Sequence, residues 1–351
     1  MRTILVTGGC GFIGSAFLRH VAGLRAARLV NVDKLTYAAN PDAVAGIAGD
    51  GYAFVHADIG DRDAMRAALA KHRPDAVVNF AAETHVDRSI DGPLAFVETN
   101  VAATARLLVE VLAYWRGLEG SSREGFRFLH VSTDEVFGAL AADDPPFDEA
   151  TAYAPNSPYA ATKAASDHLV RAWSRTYGLP VLVTNCSNNY GPWQFPEKLI
   201  PLMIAKARAG EKLPVYGAGL NVRDWLHVED HAAGLWLALS RGRPGESYGF
   251  GGGAELANID VVHAICDALD DRLGKLPSGP RRGLVEFVSD RPGHDFRYAI
   301  DAAKATAELG WKPSRDFRSG LVATVDWYLA NMGWVDAIRS KRYALERLGT
   351  S

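Results

Sequence analysis

The sequence predicts an α/β protein built on a doubly wound parallel sheet with a smaller C-terminal domain, and three observations support this prediction. Short β-branched runs alternate with stretches of helical periodicity, a glycine-rich turn joins the first run to the first such stretch, and the pattern becomes irregular after about residue 190. Alternating strands and helices form parallel sheets because each helix returns the chain to the edge where the next strand begins.

Six apolar runs are predicted to be the strands of this sheet. In chain order they read RTILVTG, LVNVD, AFVHAD, DAVVNFAAE, RFLHVSTD and LPVLVTNCSN. Helical patterns such as DRDAMRAALAKH lie between them, whereas Gly and Pro clusters separate shorter elements beyond Asn189. We therefore expect a first domain over residues 1–190 and a mainly substrate-binding unit over residues 191–351, with some segments returning to the first domain.

Composition and charge exclude several classes of protein. The 351 residues are 48% hydrophobic, which suits a sizeable core, and the formal charge of −3 without a long Lys/Arg run argues against nucleic acid or a membrane surface as partner. No apolar stretch has membrane-spanning length, and the chain enters a strand directly instead of opening as a signal peptide. We therefore expect a soluble, cytoplasmic protein.

The three cysteines, Cys10, Cys186 and Cys266, lie far apart and lack the spacing of a metal site or a disulfide framework. We therefore expect no metal and a reducing compartment. Cys10 lies in the glycine-rich loop before a helix, where a helix dipole can activate a thiol, but we interpret it as a small filler residue.

The glycine-rich turn predicts a dinucleotide cofactor. The segment TGGCGFIGS follows the first strand and spaces Gly8, Gly11 and Gly14 three residues apart. Glycines here allow a tight turn and a close approach to a pyrophosphate, which then faces the helix N-terminus. Asp33 ends the second strand about 20 residues later, where a carboxylate accepts hydrogen bonds from ribose hydroxyls and disfavours a 2′-phosphate. The pattern predicts a Rossmann-type NAD-binding domain.

Two further strand ends are candidates for cofactor contacts. Asp58 and Ile59 follow the third strand and could flank an adenine, and the small residues Ala81 and Ala82 end the fourth strand. The alternative for Asp58 is to cap the helix that begins near Asp61, and taken by itself this is the better interpretation.

A tyrosine and a lysine are predicted to share one helix face. SPYAATKAASDHLVRAW begins like a helix, with Ser157 as N-cap and Pro158 at the first helical position, so Tyr159 and Lys163 lie one turn apart. A phenol ionises near pH ~10, but a neighbouring ammonium and a cationic nicotinamide both favour the phenolate. The pair is therefore predicted to remove a hydroxyl proton while hydride leaves the same carbon for NAD.

The segment STDEVFG places a hydroxyl and two adjacent carboxylates at a predicted strand end. Asp134 and Glu135 can point the same way only if the chain has already left the sheet, and ligands of open parallel sheets bind beyond the strands' carboxyl ends. Alternatively, Ser132 and Asp134 cap the next turn and Glu135 is solvated. This stretch alone leaves both interpretations open.

The fingerprint and the Tyr-x-x-x-Lys pair together resemble the extended short-chain dehydrogenase/reductase family. Longer stretches resemble the dTDP-glucose 4,6-dehydratase family over nearly the whole chain: VDKLTYAAN, AAETHVDRSI, STDEVFG, TNCSNNYGP, FPEKLIPL, VRDWLHVEDH and RPGHDFRYAID. The resemblance implies tightly held NAD, a nucleotide-sugar substrate (dTDP-glucose) bound by the smaller C-terminal domain, and a homodimer formed through two helices per subunit.

The resemblance also implies a reaction. Tyr159 and NAD would oxidise C4 of the hexose, with Thr133 hydrogen-bonded to the C4 oxygen, which makes the C5 proton removable. Glu135 would then act as base at C5, and protonated Asp134 would donate to the departing C6 hydroxyl. Return of hydride to C6 completes a net dehydration in deoxysugar biosynthesis.

Three groups of site residues follow from the motifs and the resemblance. The expected catalytic residues are Thr133, Asp134, Glu135, Tyr159 and Lys163. The expected cofactor-binding residues are Gly8, Gly11, Phe12, Ile13, Gly14, Asp33, Lys34, Leu35, Thr36, Asp58, Ile59, Ala81, Ala82, Thr99, Tyr159 and Lys163. The expected substrate-binding residues are His85, Asn188, Glu197, Lys198, Leu199, Pro214, Tyr216, Arg223, Asn258, Arg291 and His294.

Some of these assignments have structural alternatives. Arg223 is the strongest of the substrate group, because an Arg fork matches phosphate oxygens, but it could instead pair with Asp224 or Glu229. His294 could form a surface pair with Asp295. We give His85 and Asn185 supporting roles only.

The chain departs from the family's pattern at Phe137, where Tyr is usual, at Phe296, where Arg is usual, and in a shorter loop after Gly138. These changes affect nucleotide choice and affinity more than the reaction type. Nucleotide-sugar 4-epimerases and UDP-glucuronate decarboxylases share the fingerprint and the Tyr/Lys pair but lack the Asp-Glu couple after Thr. An NAD-binding sensor without catalysis is the non-enzyme alternative, and the complete catalytic set argues against it.

Overall fold

The computed structural model describes residues 2–47, 49 and 51–341. Its strands are β1 (Arg2–Thr7), β2 (Ala27–Asp33), β3 (Tyr52–His56), β4 (Ala76–Asn79), β5 (Arg127–Thr133), β6 (Val181–Cys186), β7 (Asn188–Tyr190), β8 (Leu213–Tyr216), β9 (Val222–His227), β10 (Ser247–Phe250), β11 (Glu255–Ala257), β12 (Val285–Val288) and β13 (Arg297–Tyr298). Within this part of the chain, the main sheet has seven parallel strands in the order β10-β6-β5-β4-β1-β2-β3. All six predicted runs form strands of this sheet, β1 to β6, and β10 is the seventh strand. The predicted fold class is therefore confirmed.

The helices alternate with these strands. They are α1 (Phe12–Gly23), α2 (Arg62–His72), α3 (Val86–Asp91), α4 (Pro93–Phe96), α5 (Thr104–Arg116), α6 (Gly120–Gly125), α7 (Pro158–Tyr177), α8 (Leu199–Ala209), α9 (Val228–Arg241), α10 (Asn258–Leu273), α11 (Phe317–Ala330) and α12 (Met332–Lys341). Short 3₁₀ turns cover Pro41–Val44, Asp134–Phe137 and Arg281–Leu284, and π-helical turns cover Val97–Ala103 and Ala305–Leu309. Of the helices described, none has the length and apolarity needed to cross a membrane.

The sheet is covered on both faces, as parallel sheets are. On one face, Phe17 of α1 and Leu235 of α9 belong to one buried cluster. On the other face, Leu69 of α2, Leu107 of α5 and Val170 of α7 belong to another. The strand order reverses between β1 and β4, and this reversal opens a crevice beyond the carboxyl ends of the strands.

A smaller unit lies over this crevice. β9 pairs with β7, β11 and β13, and β8 pairs with β12. α8, α10 and α11 pack around a separate core that contains Met203, Ile265 and Tyr328. β10 follows this unit's first strands in the chain but lies in the main sheet, where Ser247 to Phe250 pair with β6. The division of the chain at residue 190 stays a prediction.

Candidate active site

The glycine-rich turn joins β1 to α1 at the crevice. Gly8 has a φ of +68°, and a Cβ there would lie 2.7 Å from the Ala81 backbone nitrogen. A Cβ on Gly14 would lie 2.3 Å from the Gly8 carbonyl oxygen, so only glycine lets the helix pack this closely. Gly11 is the N-cap of α1 and supplies no side-chain cap, which leaves the first N–H groups of the helix available to a phosphate.

Asp33 ends β2 beside this turn. Its two carboxylate oxygens accept backbone N–H bonds from Cys10 (2.9 Å) and Leu35 (2.8 Å). Burial raises the pKa of Asp33, and the two hydrogen bonds oppose that rise. The carboxylate keeps lone pairs for ribose hydroxyls. Burial also raises the pKa of the Cys10 thiol to about 11, in agreement with its interpretation as a filler residue.

One cavity brings together most of the predicted site. Of the predicted cofactor-binding group it is lined by Gly8, Gly11, Phe12, Ile13, Gly14, Asp33, Lys34, Thr36, Asp58, Ile59, Ala81, Ala82, Thr99, Tyr159 and Lys163. It is also lined by Thr133, Asp134 and Glu135, and by Asn188, Glu197 and Lys198 from the substrate group. Leu35 is outside the lining: its φ is +56° and 38% of it is exposed, so it reaches the site only through the N–H that holds Asp33.

The capping interpretation of Asp58 is wrong. α2 is capped by Asp61, whose carboxylate accepts N–H bonds from Asp63 (3.1 Å) and Ala64 (3.0 Å). Asp58 instead accepts the Gly60 N–H at 2.7 Å within its own turn and faces the cavity.

The Tyr–Lys pair lies on α7 as predicted. Ser157 caps the helix by accepting the Ala160 N–H at 3.1 Å, and Pro158 is its first residue. Tyr159 and Lys163 are both buried and line the cavity.

The electrostatics of this pair differ from the expectation. Burial raises the pKa of Tyr159 well above its ordinary value, Glu135 adds to that rise, and a hydrogen bond with Thr133 opposes it. Burial likewise lowers the pKa of Lys163, whose ammonium donates to the Val131 carbonyl at 2.9 Å. Desolvation and the nearby carboxyl groups therefore disfavour the Tyr159 phenolate, and the Thr133 hydrogen bond favours it.

The two carboxylates of STDEVFG lie on a 3₁₀ turn that starts where β5 ends, so the chain has left the sheet as expected. Thr133, rather than Ser132, caps this turn by accepting the Glu135 N–H at 3.4 Å. The Thr133 hydroxyl donates to Asp134 at 3.1 Å, and the Asn185 amide donates to the Thr133 carbonyl at 2.9 Å. Both carboxyl groups face the cavity, where Asp134 is buried and Glu135 is partly exposed.

Asp134 and Glu135 have different surroundings. Asp134 is only 2% exposed and its Oδ2 has no hydrogen-bond partner within the described residues, so burial and the adjacent Glu135 raise its pKa well above the ordinary value. Burial also raises the pKa of Glu135, but Arg291, Lys198 and Arg223 oppose that rise in this order. Glu135 is therefore the easier of the two to ionise.

Arg223, the second residue of β9, is one of these three cations. Its guanidinium donates to the carbonyls of Val222 (2.7 Å) and Asp295 (2.9 Å) and stacks over the Tyr298 ring at 4.4 Å. The proposed alternative of an ion pair is wrong: Asp224 accepts the N–H groups of Gly252 and Ala254, and Glu229 pairs with Arg315.

Arg291 and His294 occupy the loop after β12. Arg291 pairs with Asp87 at 2.7 Å, and the Tyr216 hydroxyl donates to the same carboxylate at 3.1 Å. The His294 ring lies 2.6 Å from Asp290, so the alternative of a surface pair with Asp295 is wrong. Asp87 was not predicted, although the family-like stretch AAETHVDRSI contains it.

The remaining substrate candidates divide between the cavity and its surroundings. Glu197 accepts hydrogen bonds from Tyr37 (3.0 Å) and Arg88 (3.0 Å), and Lys198 donates to the Thr84 carbonyl at 3.1 Å. Outside the lining lie His85 (buried, pKa lowered to about 2 by desolvation), Leu199 at the start of α8, Pro214 and Tyr216 on β8, Asn258 at the start of α10, and Arg223, Arg291 and His294. Cavity residues that were not predicted include Ser187, Asn189 and Gln194.

The two departures from the family's pattern have different surroundings. Phe137 packs in an aromatic cluster with Phe147 and Tyr153, with both ring centroids 5.1 Å away. Phe296 is 45% exposed. Among residues 2–47, 49 and 51–341 there is no group of three or more His, Cys, Asp or Glu side chains that could hold a metal ion.

Comparisons with known proteins agree with this geometry. The family model described as GDP-mannose 4,6 dehydratase matches residues 5–324. The chain is 56% identical to dTDP-glucose 4,6-dehydratase of Xanthomonas campestris pv. campestris (strain B100), covering 100% of both chains. It is 55% identical to dTDP-glucose 4,6-dehydratase 1 of Escherichia coli (strain K12), covering 97% of this chain and 96% of that one.

A solved structure extends the likeness to the fold. The dTDP-glucose 4,6-dehydratase of Streptomyces venezuelae, solved with NAD and dTDP bound, superimposes with a TM-score of 0.87 at 45% identity, covering 96% of this chain and 99% of that one. With the fold, the glycine-rich turn and the Thr-Asp-Glu and Tyr–Lys groups all in place, the chain belongs to the dTDP-glucose 4,6-dehydratase family of extended short-chain dehydrogenases/reductases.

Proposed function

We propose that this protein is an NAD-dependent hydro-lyase that converts dTDP-glucose to dTDP-4-keto-6-deoxyglucose and water. The supporting observation is that one cavity is lined both by the glycine-rich turn with Asp33 and by Thr133, Asp134, Glu135 and Tyr159. Redox and acid–base groups in one cavity suit a dehydration that passes through a ketone. The named relatives carry the same activity in their names.

The residues present fit NAD. The uncapped start of α1 and the close packing at Gly8 and Gly14 suit a pyrophosphate, and Asp33 suits an unphosphorylated ribose. Bound NAD supplies the acceptor of hydride from C4 and its donor to C6, and its positive charge favours the Tyr159 phenolate.

In the oxidation step, the Tyr159 oxygen takes the proton of the C4 hydroxyl. Thr133 is already hydrogen-bonded in this region, to Tyr159 and to Asp134, and can donate to the C4 oxygen as the ketone develops. Lys163 places an ammonium one helical turn from Tyr159.

In the elimination step, the two carboxyl groups act as acid and base. Asp134 stays protonated because it is desolvated, lies beside Glu135 and has one oxygen, Oδ2, without a donor, so it can protonate the departing C6 hydroxyl. Glu135 ionises more easily because three cations oppose the effect of its burial, so it can take the C5 proton. The different pKa values of two adjacent carboxyls provide both functions.

The same three cations suit the nucleotide diphosphate. Lys198 lines the cavity, and Arg223 and Arg291 are near enough to Glu135 to affect its pKa. An Arg guanidinium can donate two parallel hydrogen bonds to phosphate oxygens, and a Lys ammonium binds phosphate as a point charge. Both properties support the assignment of all three residues to the diphosphate.

We also propose a cytoplasmic homodimer. Leu94 is 81% exposed, and Val97 and Val109 are exposed on the helical segment that follows it. Exposed apolar side chains on these helical segments are suited to pairing with the same segments of a second copy.

The first test is mass spectrometry of the product formed in D₂O from dTDP-glucose, with UDP-glucose in parallel. We expect loss of water and gain of one deuterium at C5 with dTDP-glucose. No change of mass with either substrate would contradict the proposed reaction.

The second test concerns Glu135. In Glu135→Gln the base is lost while Tyr159 is intact, so we expect reduced nicotinamide to accumulate after dTDP-glucose is added, with no 4-keto-6-deoxy product. The matched control is Glu124→Gln, because Glu124 is exposed on α6. Normal turnover by Glu135→Gln would remove Glu135 from the role of base.

A further inference from the structure

A buried polar network lies behind the Tyr–Lys pair. Asp167 follows Lys163 by one turn of α7 and is 0% exposed. Its Oδ2 accepts hydrogen bonds from Ser132 Oγ and Tyr153 OH, both at 2.8 Å. Its Oδ1 lies 3.3 Å from Nε2 of His130, another fully buried side chain.

His130 faces Asp167 with its N–H. Thr7 donates to the Asn79 carbonyl oxygen at 2.6 Å, which directs the Asn79 amide nitrogen towards His130 Nδ1 at 3.1 Å. Nδ1 therefore accepts, and the proton of the neutral ring is on Nε2, which is directed at Asp167 and Ser166. Burial acts to raise the pKa of Asp167, but His130, Lys163 and the Ser132 hydrogen bond outweigh it and lower that pKa, although Oδ1 itself has no hydrogen-bond partner among the described residues.

Lys163 has charged and titratable neighbours on three elements. Asp167 lies on its own helix, Cys186 on β6, and His130 on β5. Burial lowers the pKa of Lys163, and Asp167 is the strongest influence in the opposite direction. His130 is buried with a lowered pKa, and burial raises the pKa of the Cys186 thiol, so both are neutral. Asp167 is thus the carboxylate that lies one helical turn from Lys163 and favours its ammonium without forming an ion pair with it, since Nζ donates to the Val131 carbonyl.

Asp167 also contacts the strand end that carries the acid and the base. Ser132, which donates to it, is the residue directly before Thr133 on β5. Tyr153, its other hydroxyl donor, is held in turn by Arg171 at 2.8 Å. One buried carboxylate therefore connects α7, which carries Tyr159 and Lys163, to the end of β5.

We propose that Asp167 is a positioning residue for both halves of the active site: its charge stabilises the Lys163 ammonium, and its bond to Ser132 fixes the strand end before Thr133. The proposal rests on the proposed function, in which Lys163 assists Tyr159. Asp167 itself lies behind the cavity lining and acts through these neighbours.

The test uses Asp167→Asn, because an amide keeps the size and can still accept from Ser132 and Tyr153 while the charge is lost. In a Glu135→Gln background, formation of reduced nicotinamide from dTDP-glucose isolates the step that needs Tyr159 and Lys163. We expect the high-pH decline of that rate to move to lower pH by about one unit or more. The control is Tyr153→Phe, which removes a hydrogen-bond donor but no charge. In this variant the rate should decline at the same pH as in the Glu135→Gln background alone.

A second measurement is independent of activity. A double-mutant cycle of Asp167→Asn and Lys163→Met, read as unfolding equilibria, should show coupling of about tenfold in the equilibrium constant. A role limited to packing would give additive effects and an unmoved pH profile, and that result would overturn the proposal.

If Asp167→Asn does not fold, Ser132→Ala tests the second half of the proposal. Loss of this contact should slow the same step about tenfold at every pH, because it displaces the strand end while the charge stays. An unchanged rate would overturn the anchoring role. Failure of the unmodified protein to form a 4-keto sugar would overturn the proposed function instead, so the two failures are distinguishable.

Discussion

Asp134 and Asp167 are two carboxyl groups that are both excluded from solvent, at 2% and 0% exposure, yet their pKa values are shifted in opposite directions. Asp134 has one hydroxyl neighbour, Thr133, and an oxygen without a hydrogen-bond partner in the described part of the chain. Asp167 accepts from two hydroxyl groups through Oδ2, and its Oδ1, which also lacks a hydrogen-bond partner among the described residues, lies 3.3 Å from the His130 ring. Lys163 lies one helical turn away and further lowers the pKa of Asp167. Burial alone raises a carboxyl pKa, and the donors decide whether that rise persists.

The different surroundings of Asp134 and Asp167 suit different functions: the first suits proton transfer and the second suits structural stability. A desolvated acid with few donors is easily kept protonated and can give its proton to a leaving group, at a cost in folding stability. A desolvated carboxylate with several donors holds its surroundings in place and has little tendency to exchange protons. In the active site, Asp134 is the reactive acid and lines the cavity, whereas Asp167 is the structural carboxylate and lies behind the lining.

Asp134→Asn should give the largest effect. Turnover of dTDP-glucose should fall by roughly 10²- to 10⁴-fold because the amide has no acidic proton to donate, while the fold is retained or stabilised because no carboxyl must be desolvated. Steady-state kinetics and urea unfolding of the same sample measure both. The matched control is Asp143→Asn, at an exposed position of the following loop. Near-normal turnover would show that Asp134 is not the reactive member of the two carboxyl groups.

Asp167→Ala should give the opposite pattern, with stability as its main loss. The change leaves Ser132 and Tyr153 without their acceptor, and removes the carboxylate near His130 and the Lys163 ammonium. Removing one partner from a buried charged cluster costs about 3 to 5 kcal/mol in unfolding free energy. Denaturant unfolding at neutral pH measures this loss. A cost below about 1 kcal/mol would mean that Asp167 is no more tightly held than Asp134.

The smallest predicted effect is the pH dependence of stability. The pKa of Asp134 is raised in the folded state, so its contribution is fully present below its ordinary pKa of 3.8 and is lost as pH rises through the folded value. The pKa of Asp167 is lowered, so its contribution is present above 3.8 and is lost as pH falls through the folded value.

These opposite signs can be measured in one series. Relative to the unmodified protein, the unfolding free energy of Asp134→Asn should rise with pH above about pH 4, whereas the deficit of Asp167→Asn should shrink below about pH 4. Urea unfolding across this range measures both variants. Parallel curves for the two variants would show that their environments do not differ as described.

The sequence by itself determined the local features. Six of the seven strands of the main sheet, the glycine-rich turn, the Ser157 cap and the one-turn spacing of Tyr159 and Lys163 all follow from residue patterns a few positions long. Family-like stretches added the Thr-Asp-Glu triplet and the cationic residues. These predictions hold because periodicity, capping and turn chemistry depend on neighbours in the chain.

Only the tertiary structure decided the partners and the protonation of the site. It paired Arg291 with Asp87, turned Arg223 towards carbonyls and Tyr298, and placed Asp167 against His130 on a different element. It also made burial the largest influence on the pKa of Tyr159. Such properties depend on desolvation and on contacts between residues far apart in the chain, and no local pattern encodes them.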